Sequence, residues 1–394
     1  MTDELFRHDG YQSEFEAKVV SVEGDLVVLN RTAFYPGGGG QVCDIGDING
    51  IGVTEVFRNG KGGIVHKVPG HDFREGDAVW GSVDWERRFD LMKGHTGEHI
   101  LFGSLKREIP DLTIGKIFIS PENKYVVVEG NVDWDTVEKA VKTANGIIRE
   151  NLTVSRVIMD RDDPELKNKV RIKLENIPED EEVTVTAIGD FDYSACSGVH
   201  VMETSELGML FVDRVVSAGK EGTSVHFKVG DDASDAALKL AYVTLKTSDA
   251  ADSKPEDLEK AVTNMKKDVL NFGKSLKGMT EALLFGLEPE TVNGVKIYGT
   301  VLPGADRKAV SEAAERIMEE GNVFVSVSAG ENVSAVLASG KDSVDCRKIL
   351  SESLEKFNGR GGGKPDFAQG GIPNPEDAEE LLNVMMEYVR SAVG

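Results

Sequence analysis

The sequence predicts an α+β multidomain fold, and three patterns predict it. Phe15 to about Trp85 holds short alternating runs broken by glycine turns, Asp232 to Leu284 repeats apolar residues at helical spacing, and Asn293 onward alternates strand-like and helix-like segments. At 394 residues the chain exceeds one ordinary core. We expect a glycine-rich β-barrel domain over 1–88, an α+β domain with a candidate metal site over 89–230, a helical hairpin over 231–287 and an α/β domain over 288–394.

In the first segment Phe15 to Val22 alternates, Gly24-Asp25 turns, and Leu26 to Leu29 follows, which is a hairpin signature. Further strands are expected at Ile51 to Phe57, Gly63 to Lys67 and Ala78 to Val83, making a small antiparallel barrel or sandwich. From Glu86 to Glu108, Phe89, Met92, His99, Ile100, Phe102 and Leu105 give a helix packed on one side. Strands at Leu112 to Ile119 and Lys124 to Glu129 precede a helix from Asp133, a plausible N-cap, to Asn151. Val154 to Asp160, Val183 to Gly189 and Met209 to Ser217 read as strands. Two helices joined by the polar turn Thr247 to Pro255 come next, and their apolar stripe either packs within the chain or pairs two copies. The last segment alternates strands (Val295 to Leu302, Val323 to Ser328, Ser334 to Ala338) with helices (Asp306 to Glu319, Ser343 to Phe357, Pro375 to Val393).

No run approaches the roughly 18 apolar residues of a membrane span, and the start lacks the basic and apolar regions of a signal peptide, so a cytoplasmic protein is expected. Cys43, Cys196 and Cys346 are scattered and odd in number, which implies reduced thiols. A net charge of −23 argues against loose binding to nucleic acid over the whole surface. It leaves room for local basic faces at Arg87, Arg88 and Lys93 or at Lys167, Lys169, Arg171 and Lys173, although both sets also fit solvated mixed-charge surfaces.

Chemistry concentrates in two pairs with one spacing. His95 and His99 lie four residues apart on a helix and can offer imidazole nitrogens to one ion, and Cys196 and His200 could complete the shell. Three nitrogens and a thiolate suit tetrahedral Zn2+, one per chain. Gly94 and Gly97 weaken this helix, which makes sense if a ligand lies against its backbone. Thr32 to Gln41 contains four successive glycines, either a flexible loop or a place where something approaches the backbone closely. No lysine-serine or lysine-threonine pair follows them, which argues against a P-loop. Gly359 to Gly371, with Arg360 and Lys364, could present amides and charge to phosphate or sugar, or serve as a linker.

These four motifs, in order, resemble those of alanyl-tRNA editing proteins of the free-standing AlaX type, in the long form whose C-terminal domain is like that of alanyl-tRNA synthetases. Thr32 to Gln41 is similar to the family's T-x-F-Y-P-x-x-G-G-Q, His95 to His99 to its H-T-x-x-H, Cys196 to His200 to its C-x-G-T-H, and Gly359 to Gly371 to its G-G-G-x-P-D-x-A-Q-G-G. The resemblance implies hydrolysis of the ester joining serine, and possibly glycine, to alanine-accepting tRNA. It implies His95, His99, Cys196 and His200 as zinc ligands, Thr32 as a contact for the seryl hydroxyl and Gln41 as a nearby polar residue. Gly38, Gly39 and Gly40 would help position the aminoacyl-adenosine, with Arg360 and Lys364 as tRNA contacts. Asp192 matches a frequent acidic position and would orient a ligand or a water; a turn residue is the alternative. A zinc-stabilised tRNA-binding protein without chemistry is the competing expectation, and a homodimer through 231–394 is a further one. Val199, Lys93 and Gly97 depart from the threonine, arginine and alanine usual in the family.

Overall fold

In Glu14–Glu23 (β1), Phe15, Ala17 and Val19 are buried while Glu14, Glu16 and Lys18 are exposed, as a period of two demands of a strand with one face in a core. This is the longest strand of the barrel in a computed structural model that describes residues 2–60, 62–172, 183–330 and 332–394. The chain turns at Gly24 (φ +59°) into Leu26–Leu29 (β2). Gly46–Ile48 (β3), Ile51–Val53 (β4), Glu55–Arg58 (β5), Ile64–Lys67 (β6) and Ala78–Val83 (β7) follow. These seven strands form an antiparallel sheet in the order β4-β3-β7-β1-β2-β6-β5. Its edge strands β4 and β5 are consecutive in the chain, separated only by Thr54, whose amide donates to the Lys67 carbonyl at 2.9 Å. The sheet is therefore nearly closed on itself. The single strand expected over 51–57 is two strands, because the chain breaks pairing at Thr54 to serve both edges.

Asp84 caps the next helix, α1 (Trp85–Glu108), accepting from the Arg87 amide. Then come Thr113–Ile119 (β8), Lys124–Glu129 (β9), Trp134–Glu150 (α2, capped by Asp133), Val154–Met159 (β10), Pro164–Lys169 (α3), Val183–Ile188 (β11), Asp192–Ala195 (β12), Leu210–Ser217 (β13) and Thr223–Val229 (β14). One antiparallel sheet runs β8-β9-β14-β13 and another β10-β11-β12. α1 and α2 pack on each other and on the four-stranded sheet, of which β14 is an interior member not anticipated from the sequence.

From Leu91 to Leu105 every residue of α1 except Lys93 is buried, so the expected one-sided helix is a central one. The ligand expected against Gly94 and Gly97 is the sheet itself. A Cβ at Gly94 would stand 2.7 Å from Lys124 Cε, and one at Gly97 would stand 2.8 Å from Val229 Cγ1. One hydrophobic cluster joins Phe15 and Phe34 of the barrel to Leu101, Ile148 and Phe227 beyond it, so the expected boundary at residue 88 does not separate two cores.

Contacts divide the chain into two compact units, Met1–Lys246 and Thr247–Gly394, with the division inside Gly230–Ala250 (α4). The second unit begins its elements with Leu258–Phe285 (α5), followed by Glu290–Val292 (β15), Val295–Pro303 (β16), Arg307–Glu319 (α6), Val323–Ala329 (β17), Val333–Ser339 (β18), Cys346–Glu355 (α7), Arg360–Gly363 (β19), Phe367–Ile372 (β20) and Ala378–Val393 (α8). Its sheet runs β15-β16-β17-β18-β20-β19, with β16 and β17 parallel across the α6 crossover. Val323, Val325 and Val327 face α7 and α8, whereas Phe324 faces α6, so β17 is covered on both sides.

The glycine stretch 359–371, expected either to present amides and charge to a ligand or to be a linker, is a hairpin of β19 and β20. A Cβ on Gly370 would lie 2.3 Å from Leu354 Cδ1, and one on Gly361 would lie 2.7 Å from it. Those glycines let two strands approach α7 closely. Among the described residues no helix is long and apolar enough to cross a membrane.

Candidate metal centre

Helical geometry sets His95, Glu98, His99 and Phe102 on one face of α1. Opposite them, the segment leaving β12 carries Cys196 and His200, tied down where the Cys196 amide donates to the Thr184 carbonyl at 3.0 Å. Gly198 sits between them because a Cβ there would lie 2.4 Å from His95 Cε1. One donor atom from each of His95, His99, Cys196 and His200 falls in a group within 4.8 Å of one another. Cys196 Sγ is 3.4 Å from His95 Nε2 and 3.3 Å from His200 Nε2. Bonds of about 2.0–2.3 Å to a tetrahedral zinc require donor separations of roughly 3.3–3.8 Å, which the two Cys196 spacings meet.

The other nitrogen of each histidine has a partner. His95 Nδ1–H donates to Gln41 Oε1 at 2.7 Å and His99 Nδ1–H to Asp192 Oδ2 at 3.2 Å, while His200 Nδ1 lies 3.1 Å from Thr96 Oγ1. Outer partners of this kind fix the tautomer and turn Nε2 toward a common centre. Burial pushes the Cys196 thiol up, but the His95 and His200 imidazoles together outweigh it and hold the group well below its ordinary value. Burial lowers His200 to about 4, so that ring is neutral. For His99 burial also lowers the value, yet the hydrogen bond to Asp192 and the Cys196 thiolate raise it to about 10. His99 must therefore release its Nε2 proton to act as a ligand.

The glycine loop is rigidly held. Gly37, Gly38, Gly39 and Gly40 all have positive φ, and a Cβ at Gly40 would lie 2.4 Å from the Ile117 carbonyl oxygen. Gly38 and Gln41 exchange two backbone hydrogen bonds of 3.0 Å, and the Ile119 amide donates to Gly40 at 2.8 Å. Both ends of the loop are fastened by Arg88. Expected on a basic face, Arg88 is fully buried, paired with Asp44 and donating to the Ala33 and Gly10 carbonyls. A buried charge is tolerated only when paired and hydrogen-bonded, which Arg88 achieves.

Thr32, expected to contact a seryl hydroxyl, is fully buried and absent from the cleft lining. His66 Nδ1–H donates to the Val27 carbonyl, so its Nε2 accepts from the Thr32 hydroxyl at 2.8 Å. Phe34 N donates to the same Thr32 oxygen at 3.1 Å. The Thr32 proton is thus committed inside the barrel. Val199 is buried in the core, and Lys93 Nζ lies 5.0 Å from the Phe89 ring centroid.

The group of four candidate donors borders a cleft of about 750 Å3, a size suited to a small ligand. Gly39, Tyr35, Phe102, Ile114, Ile117 and Arg171 contribute to its walls. Glu98 and Arg171 are the notable additions to the expected residues. Glu98 is fully buried in the lining, and Arg171 Nη1 lies 3.6 Å from its Oε1. Arg171 also donates to Ser194 Oγ at 2.8 Å, which donates to Asp192 Oδ2 at 2.6 Å. The spacing of Glu98 between the two candidate ligand histidines was the signal that could have found it. Lys106, Arg107, Lys169 and Arg171 border an adjoining cleft of about 660 Å3. Of the remaining basic residues, Lys173 and the side chain of Lys167 lie outside the described residues. Arg360 and Lys364 are exposed on β19 and the turn after it.

Residues 6–87 match the family model for class II (A) tRNA synthetases, and residues 294–391 match the model for the DHHA1 domain. The alanine–tRNA ligase of Methanoregula boonei is 28% identical over 403 residues, which takes in 100% of this chain and 44% of the ligase. The alanyl-tRNA editing protein AlaX-L of Pyrococcus horikoshii is 29% identical over 412 residues, spanning 99% of both proteins. The C-Ala domain of Aquifex aeolicus alanyl-tRNA synthetase aligns with 27% of this chain and 98% of that domain, at 19% identity and a TM-score of 0.24. The chain therefore spans less than half the length of the ligases it matches and nearly all of the editing protein.

Proposed function

For a chain that belongs to the family of free-standing AlaX-like alanyl-tRNA editing proteins, we propose a trans-editing hydrolase that removes serine, and secondarily glycine, from mischarged alanine tRNA. The observation that carries the reading is the set of four convergent donors, each histidine backed by an outer partner, at the edge of a cleft large enough for an aminoacyl-adenosine. His95, His99, Cys196 and His200 would hold a zinc ion, which would supply positive charge to polarise or orient the ester. Zinc held by all four donors would have no open position, so we assign the attacking water to the cleft beside them. Gln41 and Asp192 are positioning residues that act through His95 and His99. Gly39 leaves the loop backbone open to substrate, with Gly38 and Gly40 shaping the turn, and Phe102, Ile114 and Ile117 offer an apolar wall to the terminal adenosine. Thr32 supports the loop from within the barrel.

Arg360 and Lys364, exposed in the second unit, remain proposed phosphate contacts for tRNA. A second copy of the chain is the other proposed partner. On α5, Val262, Met265, Val269, Phe272, Leu276, Met279 and Leu283 are exposed at alternating spacings of three and four, the seam of a coiled coil. Light scattering on the full chain should give twice the 42.7 kDa chain mass, and a monomer would remove this partner.

The editing proposal is tested by incubating the protein with alanine tRNA carrying serine, glycine or alanine. Seryl-tRNA should be hydrolysed fastest and alanyl-tRNA spared. Seryl-tRNA that is bound but left intact would favour the binding-protein alternative.

A further inference from the structure

Glu98 is fully buried, yet among the described residues neither of its carboxylate oxygens has a hydrogen-bond partner. The nearest cationic groups stand off: Arg171 Nη1 is 3.6 Å from Oε1, and His99 Nε2 is 3.9 Å from Oε2. A buried carboxylate whose oxygens accept no hydrogen bond is costly, and a donor-rich group delivered to it would offset that cost. Its place in the cleft lining beside the metal donors says where that group must come from.

We propose that Glu98 accepts the α-ammonium group of the aminoacyl ester, so that a free amino group is a condition for productive binding. The inference rests on the editing reading and sharpens it. A seryl hydroxyl brings one proton, and glycine brings no side chain at all. The α-ammonium is common to every aminoacyl ester and brings three donors with a full charge, which suits two vacant acceptor oxygens. Distances agree. From an ammonium nitrogen the ester carbon is about 2.5 Å away across the N–Cα–C angle. Oε2 lies 3.9 Å from His99 Nε2, so an ammonium hydrogen-bonded to it leaves the scissile carbonyl within reach of the place where the four candidate metal donors converge. Arg171 keeps Glu98 in place without saturating it. An N-acylated amino acid offers only one neutral donor and extra bulk at that position, so the cleft distinguishes aminoacyl esters from peptidyl esters.

The test uses the full-length, zinc-loaded protein and two stable amide analogues of the substrate end, 3′-seryl-amino-3′-deoxyadenosine with its amine free and the same compound N-acetylated. Calorimetry on the wild-type chain should give about tenfold to a hundredfold tighter binding of the free amine, the range of a charged hydrogen bond. In Glu98→Gln the two affinities should converge to within about threefold, mainly through weaker binding of the free amine. Equal wild-type affinities, or a preference that survives in Glu98→Gln, would overturn the assignment and leave editing intact. If the wild-type chain binds neither analogue, the editing reading itself fails. Should Glu98→Gln not fold, Glu98→Asp, which keeps the charge but draws it back from the cleft, takes its place, and a wild-type preference that is undiminished there would likewise overturn the assignment.

Discussion

Replacing Asp192 by alanine should loosen the metal centre without touching a ligand. The carboxylate accepts from His99 Nδ1–H at 3.2 Å and is itself held by Ser194 at 2.6 Å and by Arg171 at 3.6 Å. Burial pushes this carboxyl up, but His99 and Arg171 together bring it below the usual range, so the outer partner is an anion. Losing an outer partner of a ligating histidine typically costs 10–100-fold in metal affinity, about 1.4–2.7 kcal/mol. Gln41 gives His95 a neutral acceptor at 2.7 Å, a bond worth about 0.5–1.5 kcal/mol, so Gln41→Ala should cost less. Competition for zinc against a chromophoric chelator at neutral pH measures both. An Asp192→Ala affinity within about threefold of wild type, or a larger loss for Gln41→Ala, would refute the assignment of these roles.

Arg88→Met strands Asp44 and releases both ends of the glycine loop, so it should destabilise the first unit by about 3–5 kcal/mol in denaturant melts. Burial holds His66 at about 4 in the fold, below its ordinary 6.5. Its contribution is complete above pH 6.5 and lost as pH falls from there toward 4, about 2 kcal/mol of it between pH 7 and 5. Melts of wild type and His66→Gln at the two pH values should show that difference, and parallel curves would contradict it. Gly97→Ala sets a methyl 2.8 Å from Val229 Cγ1. Overpacking should exceed the roughly 1 kcal/mol gain in helix propensity, for a net loss of about 1–2 kcal/mol that Val229→Ala partly restores.

The sequence was most legible where local pattern decides structure. Asp133 caps α2 as its residue type suggests, and two pairs spaced by four were enough to bring His95, His99, Cys196 and His200 to one place. Features set by tertiary contact were not legible. Arg88 looked like part of a solvated basic run because nothing local shows that Asp44 waits for it in the core. Thr32 matched a motif, but the tautomer of His66, fixed by the Val27 carbonyl, decides where its proton goes. Gly94, Gly97 and the glycines of β19 and β20 answer to backbone and side-chain approach across elements, a cause invisible in one dimension. The strand Thr223–Val229 was readable, since Val225, Phe227 and Val229 alternate with polar residues. Glu98 belonged to the same helix face as the histidines, and spacing alone pointed to it.

Single-turnover hydrolysis of seryl-tRNA for alanine, measured on the protein as purified, after chelation and after stoichiometric zinc is restored, joins the metal centre to the chemistry in one experiment. The proposed editing function predicts one zinc per chain, loss of hydrolysis on chelation with tRNA binding retained, and recovery when one equivalent returns. Hydrolysis that continues unchanged in protein shown to be zinc-free would contradict it.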